Sequence, residues 1–493
     1  MMKLAELLTM LPASFSIPDV TVSGIKLDSR QVANGDVFVA IPGYETDGRA
    51  YIDAAIDAGA IAIIAEAPGM AIEQRRSVVV VGFSGVREHL SRIAGNFFGH
   101  PSEKMQLVGV TGTNGKTSVT HIMAQLAKAL GMEAAVIGTT GSGLIGRLLP
   151  ERHTTPDAVT VQQRLATLLA EGAELVAMEV SSHALIQRRV EALHFAGAAI
   201  TNISRDHLDY HGTMENYVAA KQRLFADFGV QNRVVNADDD TLSQWQQDDL
   251  ADLWVSLNAS PNEPCLQATG VQFHEQGSVF SLNWQGESCV IETPLLGRFN
   301  VYNLLCAVAV LLKLNKPLAD IGKACGSLQP VPGRMEAFHN KQSPLVVVDY
   351  AHTPDALNQV LSALRLHCKG RLWCVFGCGG DRDRGKRPQM GKVAADYADV
   401  VVVTDDNPRT EPAEKIIEDI LTGIADKTQV KTWPGRREAV IRAMREAGKD
   451  DVVLLAGKGH EDYQVIGTQR VDYNERAVVS EWLQGDCACS QYH

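Results

Sequence analysis

Short apolar runs rich in β-branched residues alternate along the chain with stretches whose apolar positions recur every three or four residues. Runs of four to six apolar residues read as strands buried on both faces, and the three-and-four spacing reads as amphipathic helix. Their alternation predicts parallel sheets covered by helices, an α/β fold. The strand-like runs fall at 61–65 and 77–81, after a helix-like 51–59, then at 105–110, 134–138, 175–180, 196–203 and 233–236. A last set falls at 345–349, 372–376, 400–404 and 452–456. Glycine and proline interrupt the pattern around Gly99, His100 and Pro101, and again at Pro330, Pro332 and Gly333. The breaks predict three domains, 1–99, 100–332 and 333–493. The central one is built on a phosphate-loop ATPase-like parallel sheet and the last is Rossmann-like. The length of 493 residues fits, since single cores stop growing at roughly 250 to 300.

One strand runs into chemistry. Val108-Gly109-Val110-Thr111 leads into Gly112-Thr113-Asn114-Gly115-Lys116-Thr117-Ser118, and Val119, Ile122, Met123, Leu126, Ala127 and Leu130 then mark one helix face. A glycine turn entering a helix directs backbone N–H groups and the positive end of the helix dipole at one spot, which suits a phosphate. Lys116 would neutralise terminal phosphates and the Thr117 hydroxyl would bind magnesium. The loop departs from the commoner phosphate-loop pattern, which has glycine where Val110 stands. An ordinary glycine turn is the alternative reading.

Two further strands end in polar clusters. Glu179-Val180-Ser181-Ser182-His183 sets a carboxylate, hydroxyls and an imidazole at a sheet's carboxyl edge, where open α/β sheets bind ligands. Glu179 could supply a hard oxygen to magnesium, or the segment could be a loop packed by hydroxyl hydrogen bonds. The run 201–211 is dense in possible ligands, with His207 and His211 four apart. Leu208, where a zinc peptidase needs glutamate, argues against that chemistry, and a solvated turn stays open. Lys221, on an expected helix, reads by itself as a surface charge.

Composition narrows the classes. Apolar residues make up 45% and charged residues 21%, as in folded soluble proteins. The net charge of −12 disfavours a nucleic-acid partner. Nine scattered cysteines suggest reduced thiols rather than a disulfide framework, and the close pair Cys487 and Cys489 reads as incidental. The first fifteen residues suggest a short amphipathic helix rather than a secretion signal, and no apolar stretch is long enough to insert in a membrane. A cytoplasmic monomer is expected.

Taken together, the segments 111–117, 179–183, 204–211, Gly-Arg-Met-Glu at 333–336, Asp-Tyr-Ala-His-Thr-Pro-Asp at 349–355 and Asp-Asn-Pro-Arg at 406–409 resemble the Mur ligases along nearly the whole chain. The resemblance implies an ATP- and Mg2+-dependent ligase that adds meso-diaminopimelate to UDP-N-acetylmuramoyl-alanyl-glutamate through an acyl phosphate. It implies that Lys221 is carbamylated and helps hold magnesium, that Thr117 and Glu179 bind one ion and His207 another, and that Asn300 and Asn303 face the nucleotide. Arg334 and Asp349 would approach ATP from the third domain, with closure around ATP and the amino acid. Leu27, Ser29, Tyr44, Glu45 and Thr46 would take the uridine end. Thr154, Thr155, Ser181, Gln187 and Arg189 would take the peptide end, next to His153, which stands where the family often has asparagine. Arg382, Asp406, Asn407, Pro408, Arg409, Gly457 and Glu461 would read the incoming amino acid, Arg409 meeting its distant carboxylate and Asp406 and Glu461 its ammonium. The rival readings are a different ligase of the same superfamily, adding lysine or glutamate, and a phosphate-loop ATPase acting as a switch.

Overall fold

The computed structural model describes residues 1–43, 46–258, 263–340 and 342–485. It divides into two compact units, one of Met1–Leu266 with Cys306–Pro317, the other of Gln267–Leu305 with Leu318–His493.

The first unit contains two main sheets, besides a two-stranded pairing of Met2–Lys3 with Thr21–Val22. In the smaller, Gly24–Lys26, Asp36–Ala40, Ala62–Glu66 and Val78–Phe83 run parallel, and Ala71–Arg75 closes the edge antiparallel. In the larger, Ala134–Gly138, Leu175–Glu179, Gln106–Thr111, Gly197–Ile200, Arg233–Asn236 and Leu253–Ser256 lie side by side and parallel, with Gly141–Leu144 antiparallel beyond Ala134–Gly138. Residues 1–99 and 100–266 pack within one unit. The helix Val86–Phe98 lies against the helix Ala158–Ala170, where fully buried Ser91 accepts at Oγ from Ala192 N and at its carbonyl from Gln162 Nε2.

The second unit carries three antiparallel strands, Cys265–His274 from Gln267 onward, Gly277–Trp284 and Glu287–Thr293, and a six-stranded sheet. In the latter Leu345–Asp349, Val452–Ala456, Leu372–Phe376, Val400–Val403 and Val430–Thr432 are parallel, and Glu336–Phe338 is antiparallel at one edge. Alternate residues feed separate cores. Val347, Cys374 and Leu454 face one, and Val346, Val348, Trp373, Val375, Val453 and Leu455 face the other. With helices on both faces, the four central strands Leu345–Asp349, Val452–Ala456, Leu372–Phe376 and Val400–Val403 are buried at every position, which is why they read as apolar runs.

Five expected strands, 134–138, 233–236, 345–349, 372–376 and 452–456, appear with those bounds. The expected strand 196–203 ends at Ile200, because Thr201 and Asn202 turn away to hold the glycine loop and Ile203 N donates to Asp239 Oδ2 instead. The N-terminal helix pattern shrinks to Leu4–Leu7, whose buried leucines join the first core. No helix among the described residues is long and apolar enough to cross a membrane.

Candidate active site

The phosphate-loop reading rests on a strand, a turn and a helix, and all three are present. The strand Gln106–Thr111 ends at Gly112 (φ 134°), and Gly115 (φ 90°) caps the helix Lys116–Ala129. A Cβ on Gly112 would stand 2.0 Å from Thr201 Oγ1, so only glycine fits there. The neighbouring strand's exit stitches the loop in place. Thr113 N donates to Asn202 O (2.8 Å), Asn114 N donates to Asn202 Oδ1 (3.1 Å), and Thr201 Oγ1 donates to Asn114 O (2.5 Å). The first N–H groups of the helix have no intrahelical acceptors and form the anion cradle. Lys116 Nζ lies over the loop, donating to Gly112 O and Thr113 O.

Around this loop the structure gathers most of the sequence-derived candidates of the first unit. Thr117 Oγ1 donates to Glu179 Oε1 at 3.0 Å, and Glu179, 1% exposed, also accepts from Thr139 N at 2.8 Å. Thr155 Oγ1 donates to Glu179 O and accepts from Ser181 N, and Arg189 donates to Thr155 O and to Gln187 Oε1. Thr154, 3.1 Å from the Thr139 hydroxyl, belongs to the same network, whereas His153 is exposed on its turn. Ser118 is half-buried in the first helical turn.

Lys221 is not a surface charge. It lies on the helix Met214–Ala226, 1% exposed, with Nζ donating to Gly112 O at 2.8 Å and standing 4.5 Å from the Tyr217 ring centroid. Burial, followed by the nearby charge of Lys116, holds its pKa well below the ordinary lysine value. His207, in the left-handed conformation (φ 51°), starts the turn Leu208–His211 and is half-exposed beside the His183 ring at 4.9 Å. Burial, then His207 and His211, push His183 down to about 4. Thr139 and Tyr217 were missed by sequence reasoning. Their only signal would be three-dimensional, since each acts through partners 40 and 104 residues away.

Thr117 and Glu179 fit a magnesium ion in kind, as buried hard oxygen donors at a phosphate-loop helix start. Among the described residues no three His, Cys, Asp or Glu side chains converge as a metal group. An ion at Thr117 and Glu179 would thus complete its shell from phosphate oxygens and water, as magnesium usually does.

Of the nucleotide-sugar candidates, Leu27 packs on the first core, Ser29 opens the turn Ser29–Gln31, and Thr46 O accepts from Gly43 N. Tyr44 and Glu45 lie outside the described residues, as do Cys487 and Cys489.

The second unit holds two further groups. Asp349 is buried, accepting from Met335 N and Ala351 N at 2.7 Å each, and burial raises its pKa against the pull of Arg334. Arg334 stacks on Tyr350 at 4.8 Å, and its Nε is buried without a partner, as is His460 Nδ1. Unspent buried donors of this kind mark a place for a ligand. Asn300 and Asn303 hydrogen-bond each other on the helix Arg298–Lys313.

The other group joins the loop after Val400–Val403 to the loop after Val452–Ala456. Asn407 Nδ2 donates to Glu461 Oε2, and buried Lys458 Nζ donates to Asn407 Oδ1 (3.0 Å) and Glu461 Oε2 (2.7 Å). Pro408 is buried, its carbonyl 1.9 Å from where a Cβ on Gly380 would stand. Arg409 (φ 51°) is half-buried and donates to Gly380 O, Gly457 (φ 114°) passes Asp406, and Arg382 is exposed nearby on the chain after Gly379. Sequence reasoning missed Lys458.

Comparison with known proteins agrees with this arrangement. Three family descriptions match, the Mur ligase family catalytic domain over 21–98, the Mur ligase middle domain over 110–311 and the Mur ligase glutamate ligase domain over 333–459. A solved UDP-N-acetylmuramoyl-L-alanyl-D-glutamate–2,6-diaminopimelate ligase is 35% identical, with TM-score 0.72 over 98% of this chain and 99% of that one. The MurF ligase of Thermotoga maritima in complex with ADP (19% identity, 95% and 98% covered, TM-score 0.63) shares the fold. So does the folylpolyglutamate synthase of Mycobacterium tuberculosis (18%, 76% and 92%, TM-score 0.60). With a relative at that identity spanning both chains almost end to end, the chain belongs to the Mur ligase family.

Proposed function

We propose that this protein is the ATP-dependent ligase that joins meso-diaminopimelate to UDP-N-acetylmuramoyl-L-alanyl-D-glutamate. It would act in the cytoplasm, as a monomer, in the synthesis of peptidoglycan precursors, and so serve wall growth, cell shape and division. One observation carries the reading. A glycine loop that fits a triphosphate, backed by Glu179 and a buried lysine, occurs in a chain 35% identical over nearly its whole length to a diaminopimelate ligase. The functional division is 1–99 for the nucleotide sugar, 100–332 for ATP and 333–493 for the amino acid.

A glutamyl carboxylate is a poor electrophile at neutral pH. Its oxygen attacks the γ-phosphorus of ATP, ADP leaves, and an acyl phosphate results. Lys116 and the N–H groups at the start of Lys116–Ala129 neutralise charge developing on the moving phosphoryl group. Thr117 and Glu179, and His207 with Lys221, would hold magnesium, which would supply further neutralisation there. Burial, which lowers the Lys221 pKa and so favours its neutral amine, suits it to add carbon dioxide, the nitrogen bonding to carbon and releasing one proton, so that a carbamate oxygen replaces an amine. Arg334, Asp349, Asn300 and Asn303 bind ATP. Leu27, Ser29, Tyr44, Glu45 and Thr46 bind the uridine end, and His153, Thr154, Thr155, Ser181, Gln187 and Arg189 orient the peptide end. The amine of diaminopimelate, read by Arg382, Asp406, Asn407, Arg409, Gly457 and Glu461, attacks the acyl carbon, and phosphate leaves from the tetrahedral intermediate. No side-chain nucleophile is needed, and catalysis comes from alignment and charge.

The test is ADP release in the presence of UDP-muramoyl dipeptide, comparing diaminopimelate with lysine. Turnover should require both acceptor and diaminopimelate, and Lys116→Ala should abolish it. Steady ATP hydrolysis without either substrate would instead identify a phosphate-loop switch.

A further inference from the structure

We propose that Lys458 is a positioning residue that sets the selectivity of the amino-acid site by balancing its charge. The inference rests on the proposed reading of Asp406, Arg409 and Glu461 as the groups that meet the far end of the incoming amino acid. Lys458 is 0% exposed, an unusual fate for a lysine, and carboxylates of two loops converge on it. Its Nζ donates to Glu461 Oε2 at 2.7 Å and to Asn407 Oδ1 at 3.0 Å, and stands 3.4 Å from Asp406 Oδ1. That Asp406 oxygen is buried without a hydrogen bond. Asn407 Oδ1 is further fixed by Val465 N at 2.9 Å, and the Tyr463 ring lies 5.5 Å from Nζ. Lys458 thus ties the Asp406–Arg409 loop to the loop bearing Glu461 and fixes which oxygens remain for a ligand. Among the described residues, Glu461 Oε1 accepts no hydrogen bond, and Arg409 pairs with no carboxylate, its guanidinium donating to the Gly380 and Asn407 carbonyls.

The charges then close. Of the groups proposed to read the amino acid, the two carboxylates, Asp406 and Glu461, are matched by two cations away from bulk water, buried Lys458 and half-buried Arg409, while Arg382 is exposed to solvent. A neutral set of this kind complements an end group that carries both an ammonium and a carboxylate, as diaminopimelate does. Without the Lys458 charge the set gains a net negative charge, and an end group bearing only an ammonium, as in lysine, becomes the better match. The buried lysine therefore acts against lysine as a substrate while touching neither amino acid.

The experiment measures kcat and KM for diaminopimelate and for lysine in the parent, in Lys458→Met, and in Lys458→Met combined with Glu461→Gln, at saturating ATP and UDP-muramoyl dipeptide. In Lys458→Met the ratio of kcat/KM for lysine over diaminopimelate should rise about tenfold or more, mainly through KM, with the KM for ATP unchanged. In the double variant, where neutrality is restored, that ratio should fall back towards the parent value. A purely structural role would depress both amino acids alike and leave the ratio where it was, and that result overturns the inference. If Lys458→Met does not fold, Lys458→Gln, which keeps a donor to Asn407 but no charge, must show the same shift in ratio or the inference falls. A parent that turns over ATP with neither amino acid overturns the functional reading and this inference with it. A parent active with diaminopimelate whose variants keep its ratio overturns this inference alone.

Discussion

Lys221 shows how far a single residue's role depends on its surroundings. A lysine on a polar helix costs nothing in water, but here desolvation and the Lys116 charge both work against protonation, and among the described residues its one hydrogen-bond acceptor is the Gly112 carbonyl. A neutral amine is the form of lysine that reacts with carbon dioxide. Activity should therefore fall when the enzyme is stripped of carbon dioxide and recover on adding bicarbonate. Lys221→Ala should be about a hundredfold or more slower and indifferent to bicarbonate. Equal bicarbonate responses in parent and variant would remove the carbamate from the mechanism. Nothing in the sequence around 219–221 distinguishes this lysine from a solvated one. Its burial arises because Tyr217, on the same helix, hydrogen-bonds Thr113 104 residues earlier, and such pairing is visible only once the chain is folded. Lys458 was hidden for the same reason, its carboxylate partner Asp406 lying on another loop.

At the scale of elements, what burial makes uniform was legible and what it leaves mixed was not. The buried parallel strands Ala134–Gly138 and Val452–Ala456 carry no polar side chain at any position, so these runs mark their own ends. Glu287–Thr293, antiparallel and exposed on one face, mixes polar and apolar residues over seven positions and went unrecognised, as did the short Gly24–Lys26. The helix after the phosphate loop was legible by its apolar face, yet it also buries His121, whose Nε2 lies 2.7 Å from Thr140 Oγ1. Burial pushes this imidazole from 6.5 down to about 4, so the unfolded chain binds its proton first as pH falls. The stabilisation is complete above pH 6.5 and is lost as pH drops towards about 4. By linkage His121 should contribute on the order of 3 kcal/mol to that loss. Denaturant unfolding of the parent should weaken between pH 7 and pH 4.5 by about 2 to 3 kcal/mol more than that of His121→Asn. Parallel losses in the two proteins would assign the acid sensitivity elsewhere.

For the whole molecule, the chemistry is divided along the chain in a way that kinetics can separate. The phosphate loop, Glu179 and Lys221 belong to the first unit, and Asp406–Arg409 with Glu461 to the second, with no side chain common to both sets. In the proposed mechanism, phosphorylation of the acceptor carboxylate would use only the first set together with the proposed ATP-binding residues, and capture by the amine would use the second. Arg409 donates to two carbonyls of its own unit and leaves the Asp349 and Arg334 group untouched, so removing its guanidinium should leave ATP binding intact. In Arg409→Ala, acyl phosphate formation should persist, seen as acceptor-dependent scrambling of oxygen isotope within the β,γ-bridge of ATP. Amide product at low diaminopimelate should meanwhile drop about a hundredfold, as loss of a charged recognition pair implies. Lys116→Ala should lose the isotope scrambling and the product together. If Arg409→Ala suppressed scrambling as strongly as product formation, the second set would be part of the phosphoryl transfer itself, and the assignment of 406–409 to amino-acid recognition would fail.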